Sequence, residues 1–576
     1  MDESLRERVE AEAEKHALAN AVKHESDAQV GAILGPLMGE HPEFREHGDE
    51  VAGVVAPIVA RVNDMSVVER RERLTAVAPD LLEDLEAEPD RPGLFEDFPQ
   101  ASELPGAEAV DEVRMRVAPN PNGPWHIGHA RMAAVIGMYK QAYDGWFACR
   151  FDDTDPETKR PDLDAYDAIL EDIAYLGFEP DEVLRASDRL ETYYDHARDL
   201  IERDGAYTCS CAQEAFSELK REGEPCPHRD KDTATVAEEF DGMVAGEYGA
   251  GEMVLRVRTA VDHRNPALRD WVAFRMVDTP HPRPEAAEYR CWPMLDFQSG
   301  IDDHLLGVTH VIRGIDLQDS AKRQGFVYDY FGWDYPEVVH WGHVQVDAYD
   351  IKLSTTSIRE LIEHGELDGW DDPRAPTIAS LRRRGIQGRA ITAALFALGT
   401  SKRNVDLPMS DIYARNRDLV DDDAPRRFLV REGVEKPLLG GPAAGEPPVH
   451  PDHPDRGTRS IPAGGAVLLE PDDVPPNGQR VWLKGLGCVR HTRDAFEFTG
   501  VDIDAVREED VPVVHWVGAD DNRPVTLRTM AGDLAGHAEP TVATDDPDTV
   551  VQFERIGFAR IDAQGDAETV AYFAHQ

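Results

Sequence analysis

The stretch "RVAPNPNGPWHIGHARMA" (residues 116–133) joins the end of a short apolar strand to the start of a helix. Proline and glycine break the strand, and Pro124 stands near the expected helix start, where a missing backbone N–H costs little. His126 and His129 are three residues apart, so both should lie on one face of the helix at the positive end of its dipole. The stretch therefore predicts a strand–turn–helix unit with two histidines at the turn.

The two histidines are candidate ligands of a phosphate group. Free backbone N–H groups at a helix start favour an anion, and Gly128 lets a ribose or a ring approach the backbone closely. Two imidazoles beside these amides suit a phosphate that gains charge in a transition state. A lone H-x-x-H pair is also typical of metal binding or of surface histidines, so the stretch alone leaves those alternatives open.

The composition is strongly acidic. The chain has 576 residues and a formal net charge of −50, from 111 acidic and 61 basic residues. Its length predicts about three or four domains. Because salt screens self-repulsion, the acidity favours a halophilic source over an ordinary acidic protein. It does not exclude nucleic acid as a partner, since binding needs only a local basic patch.

Several features point to a cytoplasmic protein without a membrane partner. No stretch is long and apolar enough to span a membrane, and the charged N-terminus lacks the apolar region of a signal peptide. The six cysteines do not form the framework of a secreted disulfide-rich protein. We therefore expect a reducing, cytoplasmic environment.

The patterning divides the chain into six segments. Short apolar strands alternate with amphipathic helices on both sides of an interruption, which predicts a parallel sheet covered by helices. Helical spacing dominates the N-terminal part, and short strands between Gly, Pro and Asp turns dominate the C-terminal part. In chain order we predict a helical extension with its linker (1–109), a first α/β half (110–207), an insertion (208–290), a second α/β half (291–374), a helical connector (375–425) and an all-β region (426–576).

A second candidate phosphate-binding segment, "DIKLSTTSI" (residues 350–358), follows the resumed α/β pattern. Lys352 supplies a cation, and Ser354, Thr355 and Thr356 supply hydroxyls, which fit the outer phosphates of ATP. The segment is too short to indicate a function by itself. Its position after the histidine turn, with a split α/β domain between them, is the informative feature.

The two segments resemble the HIGH and KMSKS signatures of class I aminoacyl-tRNA synthetases. Three further stretches narrow the resemblance to the archaeal-type glutamyl-tRNA synthetases: "CRFDDTDPETKR" (149–160), "DFQSGIDDHLLGVTHVIRGIDLQ" (296–318) and "ARNRDLVDDDAPRRFLV" (414–430). The order of the parts is similar too. The resemblance implies a Rossmann-type catalytic domain, an insertion that grips the tRNA acceptor end, and C-terminal β-barrels that bind the anticodon.

This resemblance implies ATP-dependent ligation of L-glutamate to tRNA(Glu) through a glutamyl-adenylate, with Mg²⁺ on the ATP and transfer to the 2′-hydroxyl of the terminal adenosine. We expect tRNA(Gln) as a further substrate, a monomer, and no DNA partner. The implied catalytic residues are His126, His129 and Lys352. The implied ATP-binding residues are these three together with Pro119, Asn122, Gly128, Ser354 and Thr355. A departure is that Thr355 or Thr356 stands where KMSKS has its second lysine.

The resemblance also implies the glutamate-binding residues. Planar guanidinium groups clamp carboxylates well, and Arg116 and Arg313 are the two arginines at the family's positions for the two carboxylates. Arg313 would select acid over amide, because related glutaminyl enzymes lack an arginine there. Asp152 would pair with the ammonium group, and Leu295 and Ser299 would line the pocket. Leu295 departs from the family, whose members have a tyrosine.

A cysteine and histidine cluster falls in the insertion. Cys209, Cys211, Cys226 and His228 form a C-x-C…C-x-H pattern. Four such ligands suit a tetrahedral, structural Zn²⁺ that holds a small insertion together. Buried cysteines in a hairpin without metal are the alternative.

A basic run, "SLRRRGIQGRA", is unusual in so acidic a chain. Arg382, Arg383 and Arg384, with Arg389 nearby, are candidate contacts for tRNA phosphates. A solvated helix end is the alternative.

Other functions remain open at this stage. A glutaminyl-tRNA synthetase has a similar plan, but Arg313 argues against it. A non-catalytic tRNA-binding paralogue is a further alternative, against which the intact Arg116, His126, His129 and Lys352 argue. A truncated enzyme that glutamylates a modified base is disfavoured by the long β-rich C-terminus.

Overall fold

The computed structural model of the protein describes residues 3–23, 28, 30–41, 44, 47–63, 65–78, 98, 101–502 and 510–576. The chain forms two compact units, Met1–Glu96 and Asp97–Gln576. Most of the predicted linker before residue 109 lies outside the described residues. None of the described helices is long and apolar enough to cross a membrane.

The N-terminal unit is helical, as predicted. Its helices are α1 (Glu3–Lys23), α2 (Val30–Glu40), α3 (Gly48–Asn63) and α4 (Val67–Val77). Ser66 and Glu69 form a capping box that starts α4, which satisfies two backbone donors that a helix start leaves unpaired. Apolar side chains such as Val9, Leu37 and Val55 make a core within this unit.

The second unit begins with the first half of the α/β domain. Its parallel sheet has the order β1 (Arg114–Val117), β2 (Trp146–Phe151), β3 (Glu182–Arg185). The helices are α5 (Ile127–Tyr143), α6 (Leu163–Tyr175) and α7 (Leu190–Glu202). β2 is almost wholly buried, as expected of a parallel strand covered on both faces.

The insertion is an antiparallel sheet with two helices. Its elements are β4 (Ala206–Cys209), α8 (Gln213–Glu222), α9 (Thr233–Val244), β5 (Val254–Val257), β6 (Val272–Met276) and β7 (Cys291–Pro293). The four strands pair in chain order. Its first and last strands extend slightly beyond the predicted limits of 208 and 290.

The second α/β half lies beside the first. It contains α10 (Leu295–Leu305), β8 (His310–Gly314), α11 (Gln318–Phe331), β9 (Glu337–Trp341), β10 (Val344–Val346) and α12 (Thr355–Glu363). β8 and β9 are parallel. The backbone N–H of Thr309 donates to the carbonyl of Arg114 at 2.9 Å, which joins the two halves at β1 and β8. Ligands of such sheets bind beyond the carboxyl ends of neighbouring strands where the strand order reverses.

The connector is largely helical. It comprises α13 (Ile378–Arg383), α14 (Gly388–Ala397), β11 (Val405–Leu407), which pairs with β10, and α15 (Met409–Val420).

The C-terminal region contains two seven-stranded sheets. In chain order, the segment that forms the second sheet lies between strands of the first. The strands in chain order are β12 (Arg426–Arg427), β13 (Leu429–Val430), β14 (Val434–Leu439), β15 (Ala444–Gly445), β16 (Ile461–Pro462), β17 (Ala466–Leu469), β18 (Arg480–Leu483), β19 (Gly487–His491), β20 (Phe496–Gly500), β21 (Val513–Val514), β22 (Val517–Gly518), β23 (Arg523–Thr529), β24 (Gly532–Ala538), β25 (Val550–Phe553), β26 (Gly557–Gln564) and β27 (Thr569–His575). One sheet has the order β12-β25-β26-β27-β23-β24-β13, and the other β21-β18-β19-β20-β14-β17-β22. In each, the two edge strands are consecutive in the chain, so the sheet curls towards closure and limits exposed edges.

Candidate active site

A cavity of about 780 Å³ opens beyond the carboxyl ends of β1 and β8. Of the residues predicted to bind ATP or glutamate, it brings together all but Lys352. The predicted residues that line it are Arg116, Pro119, Asn122, His126, Gly128, His129, Asp152, Leu295, Ser299, Arg313, Ser354 and Thr355. Thr356 lines it as well.

The histidine turn differs in detail from the prediction. His126 is the N-cap residue of α5 rather than a member of its first turn, and its Nδ1 accepts the backbone N–H of His129 at 3.3 Å. The two imidazole rings are stacked, with centroids 3.8 Å apart. Two backbone hydrogen bonds hold the turn against the segment before α13. The N–H of Ile127 donates to the carbonyl of Pro376, and the N–H of Ile378 donates to that of Trp125.

Both histidines are neutral in the folded protein. Burial lowers the pKa of His126 to about 2, with a further contribution from His129. Burial likewise lowers the pKa of His129 to about 4, helped by the nearby Lys159. They can therefore act as hydrogen-bond donors to a phosphate, but they do not add positive charge to the site at neutral pH.

A buried carboxyl supports the turn from behind. Asp172 of α6 is 1% exposed, and its Oδ2 accepts the backbone N–H of Trp125 at 3.0 Å. Burial raises the pKa of Asp172 to about 7, which the backbone bond and Arg382 oppose and Glu171 favours. Sequence reasoning missed this residue, because an acid within an amphipathic helix is normally solvent-exposed.

Several polar atoms around the cavity have no hydrogen-bond partner within the described part of the chain. They are buried and belong to residues that line the cavity: Oδ1 of Asn120, Nδ1 of His129, Nε of Arg131, Oε1 of Gln298, Nε of Arg313 and Oγ1 of Thr355. Buried polar groups are normally paired, so these atoms are available to a polar ligand or to water in the cavity.

Arg116 is already engaged by the protein. Its Nε and Nη2 donate to the two carboxylate oxygens of Asp303 at 3.0 and 3.3 Å. Arg150, fully buried, lies 3.6 Å from the same carboxylate and donates from Nε to Asp152 at 2.9 Å. Asp303 and Arg150 were not predicted, although the "DD" of the quoted 296–318 stretch could have drawn attention to the first.

Asp152 is fixed through its backbone as well as through its carboxylate, which Arg150 binds. Its backbone N–H donates to the carbonyl of Pro119 at 2.8 Å, and its own carbonyl accepts from Asn120. Burial raises the pKa of the Asp152 carboxyl, while Arg150 and Arg116 oppose that shift. A substrate ammonium group would find a carboxylate here beside the Pro119 turn.

Arg313, at the end of β8, is held by uncharged groups. Its Nη2 donates to Oε1 of Gln324 at 2.9 Å and to the hydroxyl of Tyr335 at 2.8 Å. Gln324 in turn donates from Nε2 to Oγ of Ser299 at 2.9 Å. Leu295 is the first residue of α10, and its side chain is 37% exposed at the rim of the cavity. Gln324 and Tyr335 were not predicted.

Lys352 faces away from this cavity. Its side chain is exposed and lines a neighbouring cavity of about 740 Å³, together with Tyr349, His364 and Met530. The next residue, Leu353, lines the first cavity, and its Cδ1 lies 3.9 Å from where a Cβ on Gly128 would stand. The segment is thus beside the histidine turn, but the lysine itself does not reach it in this conformation.

The cysteine and histidine cluster is assembled in the insertion. Sγ of Cys226 lies 3.5 Å from that of Cys209 and 3.4 Å from that of Cys211. Nδ1 of His228 lies 3.4 Å from Sγ of both Cys211 and Cys226. Tetrahedral zinc ligands are about 3.5 to 3.8 Å apart, given bonds of roughly 2.0 to 2.3 Å. The donor set and its spacing fit a structural Zn²⁺.

Within the basic run, Arg384 is structural, which corrects the prediction that this residue contacts tRNA phosphates. Arg384 is 2% exposed and donates to the carbonyls of Phe573 and Ala574. Arg383 forms ion pairs with Asp371 and Asp562. A buried guanidinium cannot reach a phosphate. Arg382 is 39% exposed and remains a candidate.

The chain is similar to known proteins along its whole length. Residues 112–421 match a family model described as tRNA synthetases class I (E and Q), catalytic domain. Residues 424–505 and 513–562 match two models for the anti-codon binding domain of the same synthetases.

Three curated relatives share one name. The chain is 67% identical to "Glutamate--tRNA ligase" of Natronomonas pharaonis over 578 residues and 68% identical to that of Haloarcula marismortui over 584. It is 43% identical to the protein of that name from Methanothrix thermoacetophila over 587 residues. Each comparison covers 100% of both chains.

Proposed function

The chain belongs to the class I tRNA synthetases (E and Q), and we propose that it joins L-glutamate to tRNA(Glu) in an ATP-dependent reaction. The observation that carries the choice of glutamate is Arg313, a buried arginine in the cavity whose direct partners among the described residues are uncharged. A side-chain carboxylate would compensate its charge, whereas an amide would not.

The reaction has two steps. The α-carboxylate of glutamate attacks the α-phosphate of ATP, which forms glutamyl-adenylate and releases pyrophosphate. The terminal 2′-hydroxyl of the tRNA then attacks the adenylate carbonyl, and AMP leaves. Neither step needs a protein nucleophile, so the residues of this chain act by positioning the reactants and by stabilising charge. Mg²⁺ bound to ATP oxygens would supply further positive charge.

The cavity supports a division of labour. The start of α5, with neutral His126 and His129, offers donors to the phosphates of ATP, and Ser354 and Thr355 face the same space. Asp152 pairs with the substrate ammonium group. Arg116 acts as part of an ion pair with Asp303, so its interaction with a substrate carboxylate is weaker than that of Arg313.

Exchange of pyrophosphate into ATP tests the proposal. The purified chain, in high KCl and with tRNA(Glu), should catalyse exchange with glutamate and not with glutamine. Exchange with glutamine alone would make the chain a glutaminyl enzyme. Absence of exchange with either amino acid would favour a non-catalytic tRNA-binding protein.

Several finer assignments belong to the same proposal. By its resemblance to archaeal-type enzymes, the chain also glutamylates tRNA(Gln), which charging of a purified tRNA(Gln) transcript tests. The insertion holds the acceptor end, with Zn²⁺ bound by Cys209, Cys211, Cys226 and His228, for which the ligand spacing is the support. The C-terminal sheets bind the anticodon, and the reaction takes place in the cytoplasm.

A further inference from the structure

The environment of Arg313 differs from that of the other buried arginines in and behind the cavity wall. Arg131 lines the cavity too, and its Nη1 and Nη2 donate to the backbone carbonyls of Gly342 and Gly399. Arg116 and Arg150 each contact aspartate carboxylates, which cancel their charge within the protein. In the described part of the chain, no ion pair includes Arg313, and its direct partners are the amide of Gln324 and the hydroxyl of Tyr335. Arg313 therefore brings an uncompensated positive charge to the cavity.

Gln324 occupies a fixed orientation beside Arg313. Its Oε1 accepts from both the guanidinium and the Tyr335 hydroxyl, the latter at 2.5 Å, while its Nε2 donates to Ser299. The side chain is fully buried, and its Cγ would lie 3.3 Å from a Cβ placed on Gly300. Because each polar atom has a specific partner, the amide cannot turn over without breaking these bonds.

The charge of Arg313 is costly to keep without an anion. Arg313 is 5% exposed, and burial lowers the pKa of its guanidinium. Asp303 is the carboxylate that favours the charged form of Arg313, but Arg116 already binds it through two hydrogen bonds. A buried charge gains most from a partner that is both opposite in sign and hydrogen-bonded, and the open side of Arg313 faces the cavity.

We propose that Gln324 is a specificity-determining positioning residue: its neutrality keeps the charge of Arg313 free for the side-chain carboxylate of the amino acid substrate. The inference rests on the proposed function and deepens it. A carboxylate at position 324 would accept the same two hydrogen bonds from Arg313 and Tyr335, and would accept one from the Ser299 hydroxyl where the amide donates one, but it would form an internal ion pair with Arg313. The side-chain carboxylate of glutamate would then have to compete with that ion pair. The affinity for glutamine, whose side chain is uncharged, would not fall.

The test uses Gln324→Glu, which keeps the length of the side chain and adds one charge. A matched control is Gln141→Glu, which adds the same charge on an exposed position at the far end of α5. Gln324→Met removes the amide without adding charge. For each variant, tRNA-dependent exchange gives the KM for glutamate, the KM for ATP, and the Ki of glutamine as a competitor of glutamate.

The expected result separates charge from packing. Gln324→Glu should raise the KM for glutamate about 10- to 100-fold, as loss of a charge-assisted hydrogen bond does. The Ki of glutamine and the KM for ATP should change less than about threefold. Gln141→Glu should resemble the wild type. Gln324→Met should weaken the binding of glutamate and of glutamine to a similar degree. It disturbs the position of Arg313 but adds no carboxylate to compensate its charge.

Contrary results are equally clear. The inference would be overturned if the KM for glutamate were unchanged in Gln324→Glu, or if this variant bound glutamate and glutamine less tightly by the same factor. In either case, exchange by the wild type would still uphold the proposed function. Failure of the wild type to use glutamate would instead overturn the proposed function. If Gln324→Glu does not fold, Gln324→Asp carries the same expectation with a shorter side chain.

Discussion

The imidazole rings of His126 and His129 are stacked at the mouth of α5, 20° from parallel, and the Nδ1 of His126 accepts the backbone N–H of His129. In this arrangement, one ring nitrogen of His126 has a hydrogen-bond partner within the protein. The Nδ1 of His129 is buried without a partner in the described residues. The ring of His129 therefore has a buried polar atom that is available to a ligand.

We expect His129→Ala to lower the kcat of glutamate-dependent exchange by about 100-fold, the typical loss when one preorganised donor to a developing negative charge is removed. The KM for glutamate should change little, because the residues proposed to bind the substrate glutamate lie elsewhere in the cavity. Since the pKa of His129 is lowered to about 4, its ring stays neutral, and the rate should show no inflection near pH 6.5 from it. An inflection near pH 6.5 in the wild type that His129→Ala removes would contradict this.

Asp172 should make stability depend on pH. Its folded-state pKa is raised to about 7 from an ordinary value near 3.8, so the folded chain holds a proton that the unfolded chain has released between these values. Stability from this group is full below about pH 4 and is lost as the pH rises to about 7. Asp172→Asn keeps an acceptor for the Trp125 N–H and removes the ionisation. The stability of the variant relative to the wild type should therefore grow between pH 4 and 7, as measured by urea unfolding; parallel profiles would refute this.

Arg384 should matter for stability rather than for tRNA. Arg384→Met leaves the carbonyls of Phe573 and Ala574 without their donor, which should lower the free energy of unfolding by about 2 to 4 kcal/mol. The KM for tRNA, measured where the variant is folded, should not change. Arg382→Ala is the comparison, because Arg382 is partly exposed. A rise in the KM for tRNA in Arg384→Met without loss of stability would restore the original prediction for this residue.

The local features of the site were predictable from the sequence, and its long-range pairs were not. The histidine turn, the KMSKS-like segment and the ligand pattern of the zinc cluster each lie in a short stretch whose residues suffice to show them. The pair of Arg116 with Asp303 spans 187 residues of sequence, and nothing in either stretch names the other as partner. Gln324 and Tyr335 lie only 11 and 22 residues from Arg313, but no local pattern marks either side chain as a partner of the guanidinium.

The basic run shows how local reading fails. Three consecutive arginines in an acidic chain indicate a surface for phosphates, and half-exposed Arg382 is compatible with that reading. Arg384, however, is buried because the last strand, β27, packs over the end of α13 and presents two carbonyl groups to it. Burial of a charge of this kind is set by tertiary contact, which a single stretch of sequence does not reveal.

Removal of zinc should loosen the insertion. Cys226→Ser should abolish tight binding of zinc, expected at about one ion per wild-type chain, because structural sites use all four ligands. Trypsin should then cleave within the insertion first, since the cluster joins β4 to the loop before α9. Cys488→Ser alters a buried cysteine of a C-terminal sheet and should leave the zinc content unchanged. Wild-type protein with no zinc after expression in zinc-supplemented medium would contradict the assignment.

Lys352 should move when ATP binds. Its side chain lines the cavity beside Met530, whereas its neighbours Leu353 and Ser354 line the nucleotide cavity, so a local rearrangement of the segment would bring the ammonium group to the phosphates. We expect a non-hydrolysable ATP analogue to protect Lys352 from acetylation, as measured by mass spectrometry, while exposed Lys402 reacts equally with and without it. We also expect Lys352→Ala to slow exchange by about 100-fold, because a cation that stabilises transition-state charge would be lost. Equal acetylation of Lys352 in both conditions, together with an unchanged rate in Lys352→Ala, would show that the lysine stays in the neighbouring cavity and takes no part in the reaction.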